Sequence, residues 1–288
     1  MSVRSILFVY HGEDYEASAL DEACRLAIHT RAEVRVLYVI APLTWYPDLY
    51  EGDVVQLEKE GLARAEKAQA AAEKCAAAHE LPFTREWFSD PQPVMPRMVF
   101  QAVTGDLRGE IRKFGRASDI VVAGRGAPDA VVNLDHVLAG LLEAGTPVLV
   151  IPSAAGPWFG KSDSVKSVVL AWDGSLQAGR AMRALEGLVA PGRAVQIMCI
   201  LHGNGLRGPC DPSVARSWLE LHGFAAHISR SGPFVTQTGE AVLKGAGQLG
   251  AGLLVMGAYG HSHWSQVIWG GVTSHVLKHA GLPVLLHH

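Results

Sequence analysis

The sequence has little cysteine, no strong excess of one charge and no long apolar run. Four of its 288 residues are cysteine, and the formal net charge at pH 7 is −3. No apolar run reaches the roughly 18 residues that a membrane-spanning helix requires. No block of Lys and Arg indicates a nucleic-acid partner. We therefore expect neither a membrane nor nucleic acid among its partners.

The few cysteines stand at unrelated positions: Cys24, Cys75, Cys199 and Cys210. Their spacing matches no metal site and no redox motif, so we expect reduced thiols of a cytosolic protein. The first residues, MSVRSILFVYHGED, place a short apolar run shortly before acidic residues. This pattern predicts a first strand instead of a signal peptide. The sequence therefore predicts a cytoplasmic location.

The chain is long enough for two domains, and it repeats itself. Hydrophobic residues make up 49% and charged residues 18% of its 288 positions, as in soluble globular proteins. Such a length accommodates two domains of about 140 residues, each with its own core. Ser5–Tyr10, SILFVY, is answered by Ser167–Trp172, SVVLAW. Each run precedes a Gly-containing turn and an Ala-rich segment, which indicates an internal duplication.

The ends of the two halves also correspond. Residues 119–123 answer 252–256, and 145–151 answer 281–286. Short apolar runs that alternate with helical patterns predict a parallel sheet with helices on both faces, which binds ligands at the carboxyl ends of its strands. A stretch rich in Gly, Pro and Ser separates the halves. We place domains at residues 1–152 and 166–288, with a linker at 153–165.

Helical periodicity marks the core-facing residues of two helices, one in each half. The apolar positions recur at i, i+3, i+4 and i+7. They are Leu20, Ala23, Cys24 and Ala27 in the first half, and Ala178, Ala181, Met182 and Leu185 in the second.

The first half also has a longer middle than the second. An Ala-rich run predicts a long helix over Val54–Glu80. It is followed by an irregular insert, Leu81–Pro96, which contains Trp87, Phe88 and four prolines. The insert is interpreted as a surface loop, with a lid or an interface arm as the alternatives.

The most informative stretch is Val255–Thr273, VMGAYGHSHWSQVIWGGVT. Its glycines are Gly257, Gly260 and Gly270, and Gly271 doubles the last. A short apolar run before it predicts a buried strand, and a short helix is predicted to follow from Val272. The N–H groups and the dipole of such a helix N-terminus favour a phosphate. The alternative is that the glycines only permit a tight turn and close packing.

The spacing G-x2-G-x9-G resembles the nucleotide loop of the universal stress protein family, and Met256 and Val272 match that pattern too. The resemblance covers nearly the whole chain as a tandem pair and is strongest in the second half. It implies an α/β fold of two flavodoxin-like domains, each an open five-stranded, mostly parallel sheet with helices on both faces. It also implies that the domains pack as a pseudo-dimer, and it leaves open a further homodimer.

In ATP-binding members of that family, an Asp at the end of the first strand contacts the adenosine portion, and Asp173 stands at that position. Asp173 also suits the N-cap of the helix that begins near Ser175, which is the alternative role. Ile200 matches an apolar position that packs against the base. The resemblance thus implies a nucleotide site formed by Asp173, Ile200, Met256, Gly257, Gly260, Gly270, Gly271 and Val272.

Both halves depart from the family pattern. In the second half, Gly271 replaces a Ser or Thr whose hydroxyl assists the phosphates. In the first half, His11 replaces the Asp, and Leu134 and Asp135 occupy the positions of Gly270 and Gly271. A carboxylate at position 135 would repel phosphate. We therefore expect no nucleotide in the first half, which would serve as a scaffold or meet a protein partner.

The resemblance implies a cytoplasmic stress-response sensor that binds an adenine nucleotide, ATP with Mg²⁺, through its second domain. No candidate general base is present, so any ATP hydrolysis would be slow and incidental. The alternative is a nucleotide-free stress module that acts by protein interaction or by binding an apolar ligand, with Trp87, Trp264 and Trp269 as its surface. His261 and His263 are interpreted as solvent-facing, and a metal-dependent enzyme using them is a third alternative.

Overall fold

The structure is a computed structural model that describes residues 2–42, 51–85, 95–126, 143–153, 158, 167–199, 201–202, 205–206, 211–230, 238–258 and 271–288, with the backbone alone at 51–54, 201–202, 205–206, 230 and 238. The chain forms two compact units, Val3–Thr146 and Pro147–His288, called the N-terminal and C-terminal units below. By its contacts, the strand after Thr146 belongs to the C-terminal unit. Most of residues 153–165 lie outside the described ranges.

The N-terminal unit is a parallel sheet with helices. Its strands lie in the order β5-β1-β2-β4-β3, and every described pair is parallel. A short 3₁₀ turn, Asp14–Glu16, leads into the first helix. The elements are β1 (Ser5–Tyr10), α1 (Ala17–Thr30), β2 (Glu33–Ile40), α2 (Glu51–Ala78), β3 (Phe83–Thr84), β4 (Arg97–Thr104), α3 (Leu107–Gly115) and β5 (Ile120–Arg125).

The C-terminal unit repeats this plan. Its strands lie in the order β11-β8-β7-β12-β13-β6, and all pairs are parallel except β13 with β6. Two-residue strands β9 and β10 form a separate antiparallel pair. The elements are β6 (Val148–Pro152), β7 (Ser167–Trp172), α4 (Leu176–Ala184), β8 (Ala194–Cys199), β9 (Leu201–His202), β10 (Gly205–Leu206), α5 (Pro212–Leu221), β11 (Ala225–Arg230), α6 (Thr238–Gln248), β12 (Leu253–Gly257), α7 (Val272–His279) and β13 (Val284–His287).

The apolar patterns place the core as predicted. The central strands are buried on both faces, which is typical of parallel sheets covered by helices. All eight residues of the two predicted helical stripes are buried. A third stripe lies on α2, where Ala65, Ala68, Ala72 and Ala76 are buried, and their small side chains bring this helix close to the sheet. The predicted fold of tandem flavodoxin-like α/β domains is confirmed.

Chain order reverses at one point in each sheet. β1 lies between β2 and β5, and β7 lies between β8 and β12. Connections leave in opposite directions from such a point, so a crevice opens at the carboxyl ends of the two strands. We call these the β1/β5 and the β7/β12 switch points. As for membranes, none of the described helices is both long and apolar enough to cross one.

Candidate functional site

Several of the predicted site residues follow strands that end together at the β7/β12 switch point. The register pairs Ala171 with Met256 and Trp172 with Cys199. Asp173 and Gly257 therefore stand at the same edge of the sheet. Ile200, the next residue after β8 in the sequence, lies outside the described residues. Asp173 and Gly257 are the two predicted residues that the structure brings to the switch point from different strands.

The turn after β7 presents the carboxylate of Asp173 without using it as a helix cap. Its Oδ1 accepts a hydrogen bond from the backbone N–H of Ser175 at 3.0 Å, and Gly174 between them has φ +75°. Ser175 is the N-cap of α4, because its Oγ accepts from the backbone N–H of Ala178 at 3.1 Å. The alternative role of Asp173 as the N-cap is wrong. Asp173 is exposed two residues before the cap.

Gly257 is required by packing. A β-carbon added there would lie 2.6 Å from the amide nitrogen of Ala178 and 2.8 Å from Cβ of Gln177. The end of β12 thus touches the first turn of α4, and only glycine fits that approach. The preceding Met256 is buried in the core. For Gly257, the close-packing interpretation is supported by a direct contact.

The departure at Gly271 has a conformational cause. Gly271 is the N-cap of α7 with φ +82° and ψ −122°, a backbone conformation that glycine adopts without strain and Ser or Thr does not. The first backbone hydrogen bond at the start of α7 is donated by the N–H of His275 to the carbonyl oxygen of Gly271, at 3.2 Å. The N–H groups of Val272, Thr273 and Ser274 precede it, so no turn of the helix supplies acceptors for them.

The remaining predicted loop residues lie outside the described ranges. They are Gly260, His261, His263, Trp264, Trp269 and Gly270 in the C-terminal unit, and Trp87, Phe88, Leu134 and Asp135 in the N-terminal unit. His275 is described, and its ring stacks on that of His279 with centroids 4.3 Å apart.

The β1/β5 switch point repeats the geometry with different chemistry. Gly12, after His11, has φ +84°, as Gly174 has φ +75° after Asp173. Gly124 on β5 approaches the start of α1, where an added β-carbon would lie 3.2 Å from Cα of Glu16. The two glycines that permit turn and approach are thus present in both units.

Glu16 fills the turn after β1 with its own carboxylate. Oε2 accepts the backbone N–H of His11 at 2.9 Å and that of Glu13 at 3.1 Å, while Oε1 accepts Nδ1–H of His11 at 2.8 Å. Only 1% of Glu16 is exposed. The sequence patterns above did not single out this residue. The signal that could have found it is the capping-box spacing, with an acidic residue three positions after Glu13 at the start of a helix.

Two tyrosines near the N-terminal switch point have raised pKa values. Burial, followed by the nearby carboxylate of Glu16, raises the pKa of Tyr10 to about 12. Burial and the same carboxylate also raise the pKa of Tyr15. Both shifts reflect burial and the nearby carboxylate of Glu16.

Comparison with known proteins agrees with this fold. The model of the universal stress protein family matches residues 2–101 and 234–288. A search of curated proteins finds no match. Among solved structures, a universal stress protein from Archaeoglobus fulgidus DSM 4304 aligns with a TM-score of 0.68 at 16% identity, over 99% of this chain and 96% of that chain. A functionally unknown protein from Pseudomonas aeruginosa PAO1 aligns with a TM-score of 0.56 at 16% identity, over 99% and 92%. At such identities the structural matches establish the fold alone.

Proposed function

The chain belongs to the universal stress protein family, whose model matches more than half of its residues, and from this premise we propose that the C-terminal unit binds an adenine nucleotide. The ligand is ATP with Mg²⁺, and its site is the β7/β12 switch point. The proposed contacts are Asp173 and Ile200 toward the nucleoside, and Gly257, Gly260, Gly270, Gly271 and Val272 toward the phosphates, with Met256 supporting the loop from the core.

The exposed carboxylate of Asp173 is the observation that carries the proposal. It stands at the switch point, and Ser175 N–H occupies one of its oxygens. An ionised carboxylate accepts hydrogen bonds from the hydroxyls of a ribose or the amino group of a base. The side chain is outside the helix cap, so its remaining acceptor capacity is available to a ligand.

The start of α7 supports the phosphate end of the site. α7 connects β12 to the parallel strand β13, so its N-terminus faces the carboxyl edge of the sheet, as do Asp173 and Gly257. The N–H groups of Val272, Thr273 and Ser274 and the helix dipole attract negative charge there. Gly271 replaces the family hydroxyl and adds no side chain over these donors.

An apolar side chain near Asp173 supports the nucleoside end. Leu176 is the first residue of α4 and is 61% exposed, three positions after Asp173. An exposed leucine three positions after an exposed carboxylate offers both the apolar and the polar contact that a purine nucleoside uses. The corresponding end of the N-terminal unit holds the Glu16 carboxylate instead, and we assign no nucleotide to it.

We assign the protein a cytoplasmic stress-response role in which the bound nucleotide alters the surface offered to a protein partner. Free thiols at Cys24, Cys75 and Cys199 suit a reducing compartment. The proposal includes no catalytic turnover. It leaves the N-terminal unit as the scaffold or as the part that meets the partner.

The test is isothermal titration of ATP with Mg²⁺ into the full chain and into two matched variants. Asp173→Ala removes the carboxylate at the switch point. Asp211→Ala is the control, because Asp211 is also exposed and its Oδ1 also accepts the N–H two residues on, that of Ser213 at 2.9 Å, although Asp211 is the N-cap of α5. Loss of one hydrogen bond to a charged group costs about 1.5–3 kcal/mol. We expect Asp173→Ala to weaken binding roughly 10- to 100-fold and Asp211→Ala to leave it unchanged.

Two results would contradict the proposal. One is a wild-type chain that takes up no adenine nucleotide, which would favour the nucleotide-free module. The other is equal affinity in the wild type and in Asp173→Ala, which would place the nucleotide elsewhere.

A further inference from the structure

Three potential metal ligands meet between α1 and α2, away from both glycine turns. Cys24 lies on α1, Cys75 lies on α2, and His79 follows α2 directly. One ligand atom from each of the three lies within 4.8 Å of the others. Both cysteines are free thiols, and their Sγ atoms are 3.7 Å apart. The sequence alone suggested unrelated thiols, but the packing of the two helices brings these two together with an imidazole.

The sulfur separation suits two thiolates on a single zinc ion. Zinc binds cysteine sulfur at about 2.3 Å and holds its ligands at tetrahedral angles, which places two sulfurs about 3.8 Å apart. The observed 3.7 Å agrees with this value. A disulfide requires about 2.05 Å between the sulfurs, so the two sulfurs are not bonded to each other here.

Asp21 orients the imidazole. Its Oδ1 accepts a hydrogen bond from Nε2 of His79 at 2.5 Å, and its Oδ2 lies 2.9 Å from both Nε and a terminal nitrogen of Arg25. Because an ionised carboxylate only accepts, the ring proton is on Nε2 and the lone pair is on Nδ1. Carboxylates commonly hold metal-binding histidines in this way and so fix both tautomer and orientation.

The cluster of Cys24, Cys75 and His79 is buried at one end and accessible to solvent at the other. Cys24 is fully buried, whereas the side chains of His79 and Asp21 are 11% and 39% exposed. Cys75 lies between these extremes. A cation can therefore enter past Asp21 and His79 and reach two sulfur atoms in an environment of low polarity. Thiolate and imidazole ligands favour zinc over magnesium or calcium.

We propose that Cys24, Cys75 and His79 form a zinc site between α1 and α2, with Asp21 as the positioning residue for His79. The three protein ligands leave a fourth position for water. Binding replaces the thiol protons of Cys24 and Cys75 with one Zn²⁺, and those protons pass to solvent. The site links two helices of the N-terminal unit, so zinc stabilises that unit by mass action.

The ligand pattern is present in the sequence in two pieces. Asp21-x2-Cys24 and Cys75-x3-His79 each span about one helical turn, so each pair lies on one face of its helix or helix end. The pairs are separated by about 50 positions, and neither alone meets the spacing of a known zinc motif.

Cobalt and zinc titrations of the reduced full-length chain test the proposal. Co²⁺ bound by thiolates gives an intense charge-transfer band in the near ultraviolet, which a site built from histidines alone cannot give. We expect this band with one equivalent of Co²⁺, and its loss when Zn²⁺ is added. Zn²⁺ should also be withdrawn from a chromophoric chelator in a ratio of one per chain.

Matched variants separate ligands from bystanders. Cys75→Ser and His79→Gln should abolish stoichiometric zinc binding, and Asp21→Asn should weaken it about 10- to 100-fold. Cys199→Ser, at a buried cysteine on β8, and His29→Gln, at an exposed histidine on α1, should bind zinc as the wild type does. Circular dichroism checks whether each variant is folded. If a cysteine variant unfolds, His79→Gln still tests whether a ligand of the site is required for zinc binding.

Either of two outcomes would overturn the site. The reduced wild-type chain could bind neither cobalt nor zinc. This result would overturn the site even if Cys24 and Cys75 also prove to form a disulfide on exposure to air. Alternatively, the thiolate-to-cobalt band could persist in the double variant Cys24→Ser with Cys75→Ser, which would assign the sulfur ligands to other cysteines.

Discussion

An added β-carbon on Gly257 would lie 2.6 Å from the amide nitrogen of Ala178. This contact joins the end of β12 to the first turn of α4, and a backbone atom cannot move aside as the tip of a side chain can. Glycine at this position therefore supports the fold whether or not a ligand is bound. The equivalent contact in the N-terminal unit is looser, because an added β-carbon on Gly124 would lie 3.2 Å from Cα of Glu16.

We expect Gly257→Ala to lower the free energy of unfolding by about 1–3 kcal/mol, the usual cost of overpacking. Gly124→Ala should cost less, because its neighbours need to move only a few tenths of an ångström. Urea unfolding of the full chain, followed by circular dichroism, measures both. A larger loss in Gly124→Ala than in Gly257→Ala would contradict the packing argument.

Restoring the family residue at position 271 should harm the protein. Gly271→Ser places a side chain at φ +82°, which costs about 1–3 kcal/mol of unfolding free energy. The control is Gly247→Ala on α6, where a β-carbon meets no atom within 4 Å and the helix gains about 0.5–1 kcal/mol. Thermal unfolding compares the two. A Gly271→Ser chain as stable as the wild type would show that α7 begins in another way.

Glu16 should be essential to the N-terminal unit and irrelevant to the nucleotide. Glu16→Ala removes a charged acceptor from the N–H groups of His11 and Glu13, and each hydrogen bond to a charged group contributes about 1.5–3 kcal/mol. Asp14→Ala, at an exposed acidic residue in the same turn, should change stability by less than about 0.5 kcal/mol. Urea unfolding and ATP titration are the measurements. Equal stability of the two variants would remove Glu16 from its structural role.

Acid should destabilise the C-terminal unit through His287. Burial lowers the pKa of His287 in the folded chain, and the charge of Arg180 lowers it further. In the unfolded chain, His287 takes up a proton near pH 6.5, whereas in the folded chain it binds the proton only at a lower pH. The unfolded state therefore binds more protons in this window, and the free energy of unfolding falls as pH decreases through about 6.5.

The slope of stability against pH, measured by urea unfolding between pH 7.5 and pH 5.5, checks this prediction. His287→Gln should have a shallower slope than the wild type. His29→Gln, at an exposed position, should keep the wild-type slope. Identical slopes in all three chains would show that His287 is not responsible.

Local signals were sufficient for the elements and the core. β1 was predicted with its observed bounds because an apolar run ends at a glycine turn, and α7 because Gly271 precedes it. The long helix of the first half was predicted over Val54–Glu80 and extends over Glu51–Ala78. The bounds differ by three residues at the start and two at the end, because local propensity does not determine the residue at which a helix begins or ends.

Side-chain roles depended on geometry that the sequence does not carry. Asp173 and Ser175 are both good caps, and the positive φ of Gly174 decides that Ser175 caps α4. Glu16 turns back on His11 because the chain bends after β1, and nothing in residue type requires that bend. The meeting of Cys24 with Cys75 depends on how α1 packs against α2, across about 50 positions of sequence.

The carboxylate of Glu16 gives the N-terminal unit a resident anion at its switch point. The turn after β1 therefore has its anionic acceptor supplied by the chain itself and needs no ligand to provide one. Under the proposed function, the switch point of the C-terminal unit is occupied only when the adenine nucleotide is bound, so its state depends on the concentration of that nucleotide. One polypeptide would then contain a unit that does not respond to the nucleotide and a unit that does. A partner protein could bind both units without a second subunit.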